Sequence, residues 1–225
     1  MGRMMQDGPG VRPVGGGDAE PEGRIPAMDR MKGQMRRRLE EYRRRRHEYG
    51  AQEADRGWMR EPLREWIMGL QEEPDRALLS VGSMAAIGVA VGETMPIRDA
   101  LVVSMICPRS RLEGTALLDL CSRPDLDSSM RLLCSSLDAA FTDPSTRPDL
   151  PRCRAGLAML ERMVRTLPSD YQVQPLAITA YIMWWTGEGD AMDYALRALG
   201  LDGGCTLASI ILAAFRHQVR PAWAS

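Results

Sequence analysis

The stretch from Pro175 to Trp223, PLAITAYIMWWTGEGDAMDYALRALGLDGGCTLASIILAAFRHQVRPAW, decides the fold because it writes three amphipathic helices divided by glycine-marked turns. Leu176, Ile178, Ala180, Ile182 and Met183 form a mostly apolar rod ending at Trp184 and Trp185, and Gly187-Glu188-Gly189-Asp190 supplies a turn and an N-cap. Asp190 then opens a second helix with Ala191, Tyr194, Ala195, Ala198 and Leu199 at helical spacing, which the reading stops at Gly200, a residue suited to the left-handed position after a helix. Thr206 caps a third, striped by Leu207, Ile210, Ile211, Ala214 and Phe215, until Pro221 forbids continuation.

These stripes predict that Trp184, Leu199, Ile211 and Phe215 bury against one another, so that Phe215→Ala costs about 3–5 kcal/mol. Neighbouring helical residues point about 100° apart, so Trp184 and Trp185 are not expected to share one core. Trp185 is therefore the candidate partner-facing anchor.

Working towards the N-terminus, proline-bounded turns separate helices expected at Ile97–Ile106, Leu112–Cys121, Ser128–Ala140 and Arg152–Leu167. Arg76 to Val91 is rich in Ala and Gly and reads either as a tightly packed helix or as a short buried strand. Gly88 to Thr94 lacks the lysine and spacing of a phosphate loop, so Gly88 and Gly92 read as helix-packing glycines. Trp58, Leu63, Trp66, Ile67 and Leu70 share an apolar face, and Pro62 places the start of that helix near Glu61.

The expected class is all-α: an irregular array of antiparallel helical hairpins with a tetratricopeptide-like C-terminal unit, since a helix, a Gly-Asp turn and an Ala-rich helix occur once without an upstream repeat. Three regions are expected, namely a disordered Gly/Pro-rich tail over 1–26, an Arg-rich charged helix and linker over 27–57, and a helical domain over 58–225.

Between Met28 and Tyr49 one charged helix is written, with Met28, Met35, Tyr42 and Tyr49 recurring at sevens, so one face suits a partner helix or the body of the protein. Arg36, Arg37, Arg38, Arg43, Arg44, Arg45 and Arg46 crowd its other faces. They read either as a contact for nucleic acid or an acidic partner, or as a solvated face paired internally, Glu40 with Arg44 and Glu41 with Arg45. The second reading weighs more, because no recognition-helix pattern accompanies the charge.

The string WWTGEGDAMDYALRALGLDGGCTLASIILAAF resembles the C-terminal signature of the actinobacterial domain-of-unknown-function family numbered 4192, and Pro96-Ile97-Arg98-Asp99-Ala100-Leu101 resembles a second element of it. The resemblance covers roughly residues 58 to 225. It implies a helical fold and carries no established activity. The turn reads Gly-Glu-Gly-Asp instead of Gly-Asp-Gly, and the family's strand-rich first half has no counterpart here. The chain thus reads as a shortened member, a fragment or the product of a misplaced start.

Composition limits the function classes. The 225 residues carry a formal net charge of -1, which offers no global field for nucleic acid. Lys32 is the only lysine, an arginine bias read as codon usage. Cys107, Cys121, Cys134, Cys153 and Cys205 form no C-x-x-C pair and read as isolated core thiols in a reducing cytoplasm. His47 and His217 lie far apart, so no metal site is expected. The N-terminus lacks an export signal's apolar core, and the apolar runs fall short of the ~18–20 residues a membrane span needs.

No catalytic motif appears. Arg98, Asp99, Glu188 and Asp190 allow a charged cleft to be imagined, but Asp99 and Asp190 suit helix N-termini without any catalysis. No cofactor is expected. The reading is a cytoplasmic protein-interaction or scaffold element with an unidentified protein partner and no membrane contact. The alternatives are a nucleic-acid-associated accessory protein using the Arg-rich helix, and an uncharacterised enzyme or truncated family member.

Overall fold

A computed structural model describes residues 1, 27–112 and 114–224. The expectation for the 1–26 tail falls, Met1 apart, outside the described residues. The described residues form ten α-helices and three 3-10 turns, with no strand: α1 (Ala27–Tyr49), α2 (Ala51–Gly69), α3 (Val81–Glu93), α4 (Met95–Ile106), α5 (Ala116–Ser122), α6 (Asp127–Thr142), α7 (Leu150–Thr166), α8 (Val173–Thr186), α9 (Ala191–Leu201) and α10 (Thr206–Arg216). The protein is all-α. None of its described helices is long and apolar enough to cross a membrane.

Three mostly apolar helices, buried on nearly every side through their middles, lie at the centre. Met84 to Val91 of α3, Ala100 to Ile106 of α4, and Leu176 to Ile182 of α8 are buried without interruption, and these helices touch one another. A helix hydrophobic all round is stable only when neighbours cover it completely. The ambiguous Ala/Gly-rich segment is therefore a central helix. An added Cβ at Gly88 would come within 2.6 Å of Leu167 Cδ1, so this glycine lets α3 approach the end of α7.

Around that centre the amphipathic helices pack through single faces. Trp58, Leu63, Trp66 and Leu70 of α2 are buried, and both indoles are satisfied, Trp58 Nε1 donating to the Ala86 carbonyl at 3.0 Å and Trp66 Nε1 to Ser104 Oγ at 2.9 Å. Burial of each such side chain contributes roughly 1.5–3 kcal/mol. Met35 and Tyr42 of α1 are fully buried, so the heptad stripe faces the body of the protein and the packed core begins well before Trp58. Met28 and Tyr49, at the ends of that stripe, stay exposed.

A polar cluster fixes α1 in place. Tyr42 Oη donates to Asp55 Oδ1 at 2.6 Å and lies 3.3 Å from Thr94 Oγ1, while Arg46 Nε stands 3.1 Å from the same Asp55 oxygen. Burial raises the Asp55 carboxyl, against the opposing pull of the Tyr42 hydrogen bond and the Arg46 charge. On α5, Asp119 accepts from Thr115, Arg123 and Arg56, each at 2.6 Å, which ties α5 to α2. Burial alone would raise its acid, but those hydrogen bonds outweigh it and hold the group at about 2.

Several helix boundaries differ from expectation for identifiable reasons. α2 starts at Ala51, with left-handed Gly50 (φ 79) before it, and runs through Pro62 in its interior, because the burial of Ala54, Trp58 and Met59 outweighs the lost proline hydrogen bond. α9 continues past Gly200 to Leu201. Asp202 makes the turn instead, accepting Gly204 N–H on its side chain at 2.8 Å and Cys205 N–H on its carbonyl at 3.1 Å. Cys205, not Thr206, stands at the N-cap of α10.

α6 begins at Asp127 behind Leu126, and its Ser128 makes no cap. α5 starts later than Leu112, after a 3-10 turn at Arg109–Arg111. Of the five cysteines, Cys134 is exposed, since α6 offers its apolar side through other positions. α8, α9 and α10 pack as consecutive hairpins, and α8 with α9 is compatible with one tetratricopeptide-like unit.

Candidate functional site

The arginines singled out in the basic helix divide into paired and unpaired groups. Arg43 is paired through both Nε and Nη2 with Glu93 at 2.8 Å, Arg45 with Glu41 at 2.6 Å, and Arg46 with Asp55 at 3.1 Å. Only the Glu41–Arg45 pair was readable from helical spacing; the Glu93 and Asp55 partners come from other helices. Arg36, Arg37 and Arg44 are exposed and Arg38 is half-buried, and none of the four is in the ion pairs of the described residues.

Trp185 is not the outward anchor. It is fully buried, and so is nearly all of Trp184, at 5% exposure. The reason is packing on more than one side. α7, α9 and α10 cover α8, and the chain after α10 returns over its end, where the Trp223 ring meets Trp185 edge-on at 6.5 Å and Trp223 Nε1 donates to the Trp185 carbonyl at 2.9 Å. The same strap accepts from Trp184, whose Nε1 donates to the Val219 carbonyl at 3.1 Å.

The residue with the outward role is Phe215, expected in the core and found 43% exposed. α10 turns its Leu207, Ala208, Ile211 and Ala214 inward, which leaves Ile210 and Phe215 on the other side. Trp184 and Ile211 join the core cluster as expected, while Leu199 is half-buried and packs against it.

Phe215 stands on the lip of a groove of about 710 Å³ between the end of α8, the start of α9 and the strap. Met183 and Trp184 line it on one side, and Phe215, Val219 and Pro221 on the other. Two left-handed glycines shape it, Gly187 (φ 68) and Gly189 (φ 76), which reverse the chain between α8 and α9. A Cβ at Gly189 would meet Met183 Sδ at 3.0 Å, so the turn lies directly on the groove wall. Asp190 caps α9 by accepting the Asp193 N–H at 3.1 Å. The strap itself is set by a Schellman closure, Val219 N–H donating to the Ala214 carbonyl at 2.8 Å and Gln218 N–H to Phe215 at 3.2 Å, with Gln218 left-handed at φ 54.

The groove is mixed, with Met183, Trp184, Phe215, Val219 and Pro221 beside the polar Gln218 and the basic Arg220. Trp184 lies 5.0 Å from the exposed Phe141 ring and 5.6 Å from Tyr181, so an aromatic cluster backs it. Arg216, at the end of α10, and His217 and Arg220 in the strap are exposed. Glu188, in the turn, is held away from them by Arg154, which donates to it at 2.5 and 3.1 Å and lowers its carboxyl.

The imagined charged cleft does not form. Arg98 bonds its neighbour Asp99 at 2.7 Å, Glu188 pairs with Arg154, and Asp190 serves as a cap. Burial pushes the Cys121 and Cys153 thiols up to about 12, far from nucleophilic thiolates at neutral pH. Among the described residues no group of three or more His, Cys, Asp or Glu is placed to hold a metal ion.

No family model matches the chain, and no curated protein or solved structure matches it.

Proposed function

We propose that this protein is a helical interaction element whose groove beside Trp184 receives an apolar segment of a partner protein, an amphipathic helix flanked by acidic residues. One observation carries the reading: a groove of about 710 Å³ lined by Met183, Trp184, Phe215 and Val219 opens to solvent with Arg220 among its lining residues and the exposed Arg216 nearby in sequence. Apolar anchors entering such a groove supply affinity, and rim charges choose orientation and partner. A cytoplasmic setting belongs to this reading and is supported by the five unpaired cysteines. Membership of family 4192 belongs to it as well, supported by the signature string falling on α8, α9 and α10.

The test is selection of binding peptides from a random displayed library on the full chain, followed by measurement of the selected peptides on Phe215→Glu and Val219→Glu. These exposed positions accept a charge without disturbing the core. The proposal expects apolar anchors at helical spacing with acidic flanks, and affinity falling by roughly tenfold or more on either variant. Selected peptides that bind both variants as tightly as the wild type refute it.

A second reading has one observation in its favour, the exposed Arg36, Arg37 and Arg44 without carboxylate partners, which suit phosphate contact. Salt separates the two. Phosphate binding weakens steeply as salt rises, whereas an apolar contact changes little.

A further inference from the structure

A second, smaller cavity lies away from the groove, where α2, α4 and the loop before α5 meet the first turn of α7. It is a partly open pocket of about 170 Å³. Ile67, Leu70, Leu112 and Leu117 give it a largely apolar lining, completed by Gln71, Arg109 and Arg152. Ser104 also lines it, but its hydroxyl is already committed, accepting from Trp66 at 2.9 Å and donating to the Leu101 carbonyl at 2.6 Å.

Arg152 is the unusual member. It is only 4% exposed, yet of its side-chain donors Nη2 alone meets an acceptor, the Cys107 carbonyl at 2.7 Å. Nε and Nη1 are buried without a hydrogen-bond partner. The nearest carboxylate, Asp149, is 3.7 Å from Nε and is shared with Arg109 at 3.5 Å. Two guanidinium groups against one carboxylate leave an excess positive charge. The N-terminus of α7, which starts at Leu150, adds the positive end of a helix to the same place. Burial opposes the charged form of Arg152, but a guanidinium stays protonated in proteins, so the charge persists with unmet donors. Buried donors without acceptors are costly, and an anion placed there removes that penalty.

We propose that this cavity binds a small organic monocarboxylate, its carboxylate against Arg152 with Arg109 at the mouth, and its apolar body among Ile67, Leu70, Leu112 and Leu117. The net charge matches a monoanion. The walls favour an apolar body over inorganic phosphate, whose remaining oxygens would face leucine and isoleucine. In size the space is close to cavities of about 150 Å³ known to hold benzene, so benzoate is a fitting probe.

The test titrates the full chain with sodium benzoate at neutral pH, following chemical shifts or heat, alongside benzamide and inorganic phosphate. The proposal expects saturable benzoate binding with Kd of about 1 mM or tighter, and benzamide and phosphate each weaker by about tenfold or more. Arg109→Gln, at an exposed rim position, is expected to weaken benzoate about threefold to tenfold without changing the melting temperature. Arg152→Met is expected to abolish binding. Should Arg152→Met fail to fold, the benzamide and Arg109→Gln results decide. No saturation by about 20 mM, equal binding of benzamide, phosphate binding tighter than benzoate, or an unaltered Arg109→Gln affinity overturns the proposal.

Discussion

Replacement of Trp185 by alanine is expected to destabilise the protein by about 3–5 kcal/mol. The indole is fully buried and meets Trp223 edge-on at 6.5 Å. Removing an aromatic ring that buries roughly 200 Å² forfeits about 5 kcal/mol of transfer free energy at about 25 cal/mol per Å². Partial collapse of the strap into the space lowers that figure, and the hydrogen bond from Trp223 to the Trp185 carbonyl survives because it uses the backbone. Phe215→Ala is the matched control. At 43% exposure its ring has roughly half the transfer term and leaves no closed cavity, so about 1–1.5 kcal/mol is expected. Urea unfolding of the three proteins with a common slope reads both values. For a chain of this size the Trp185→Ala melting temperature should fall by roughly 6–20 °C. A Trp185→Ala loss under about 1.5 kcal/mol, or one no larger than that of Phe215→Ala, would show that the strap does not seal the end of α8.

Three further outcomes are expected. Tyr42→Phe leaves Asp55 buried beside Arg46 without its 2.6 Å donor and should cost about 1–3 kcal/mol in urea unfolding; a loss under about 0.5 kcal/mol would remove the cluster as the clamp on α1. Asp119 is held at about 2, below its unfolded value near 3.9, so the unfolded state binds protons first on acidification. Its contribution of about 2 kcal/mol is present above pH 4 and lost between about pH 4 and 2, so Asp119→Asn should flatten the stability profile in that window, and an unchanged slope would contradict the assignment. Gln218→Gly should raise stability by about 0.5–1 kcal/mol, because glycine takes the φ 54 conformation without strain; thermal unfolding that shows a loss would contradict it.

Local signals made the helical class and most helices legible. Asp190 as a cap, the stripe of α10 and the 3.6-residue periodicity all depend on residues close in sequence. The buried Trp185 was misread because adjacent helical residues diverge, a rule that assumes one covered face. The mostly apolar run from Leu176 to Ile182, broken only by Thr179 and the Tyr181 hydroxyl, already marked a helix covered on all sides, and Trp223 after Pro221 marked a strap able to supply the cover. Phe215 was misread for the converse reason, since Leu207, Ile211 and Ala214 suffice to seat α10. Partners distant in sequence left no local trace. Asp55 for Tyr42, Glu93 for Arg43 and the convergence of Arg109 with Arg152 are set only by tertiary packing.

The most direct test of the interaction groove is the affinity of one library-selected peptide for the wild type and for Phe215→Glu, each at about 50 and 300 mM salt. An apolar docking site predicts that wild-type affinity changes by less than about threefold between the two salts, and that Phe215→Glu lowers it by roughly tenfold or more at both. Affinity that collapses with salt and ignores Phe215→Glu would contradict the account and place binding on the charged surface instead.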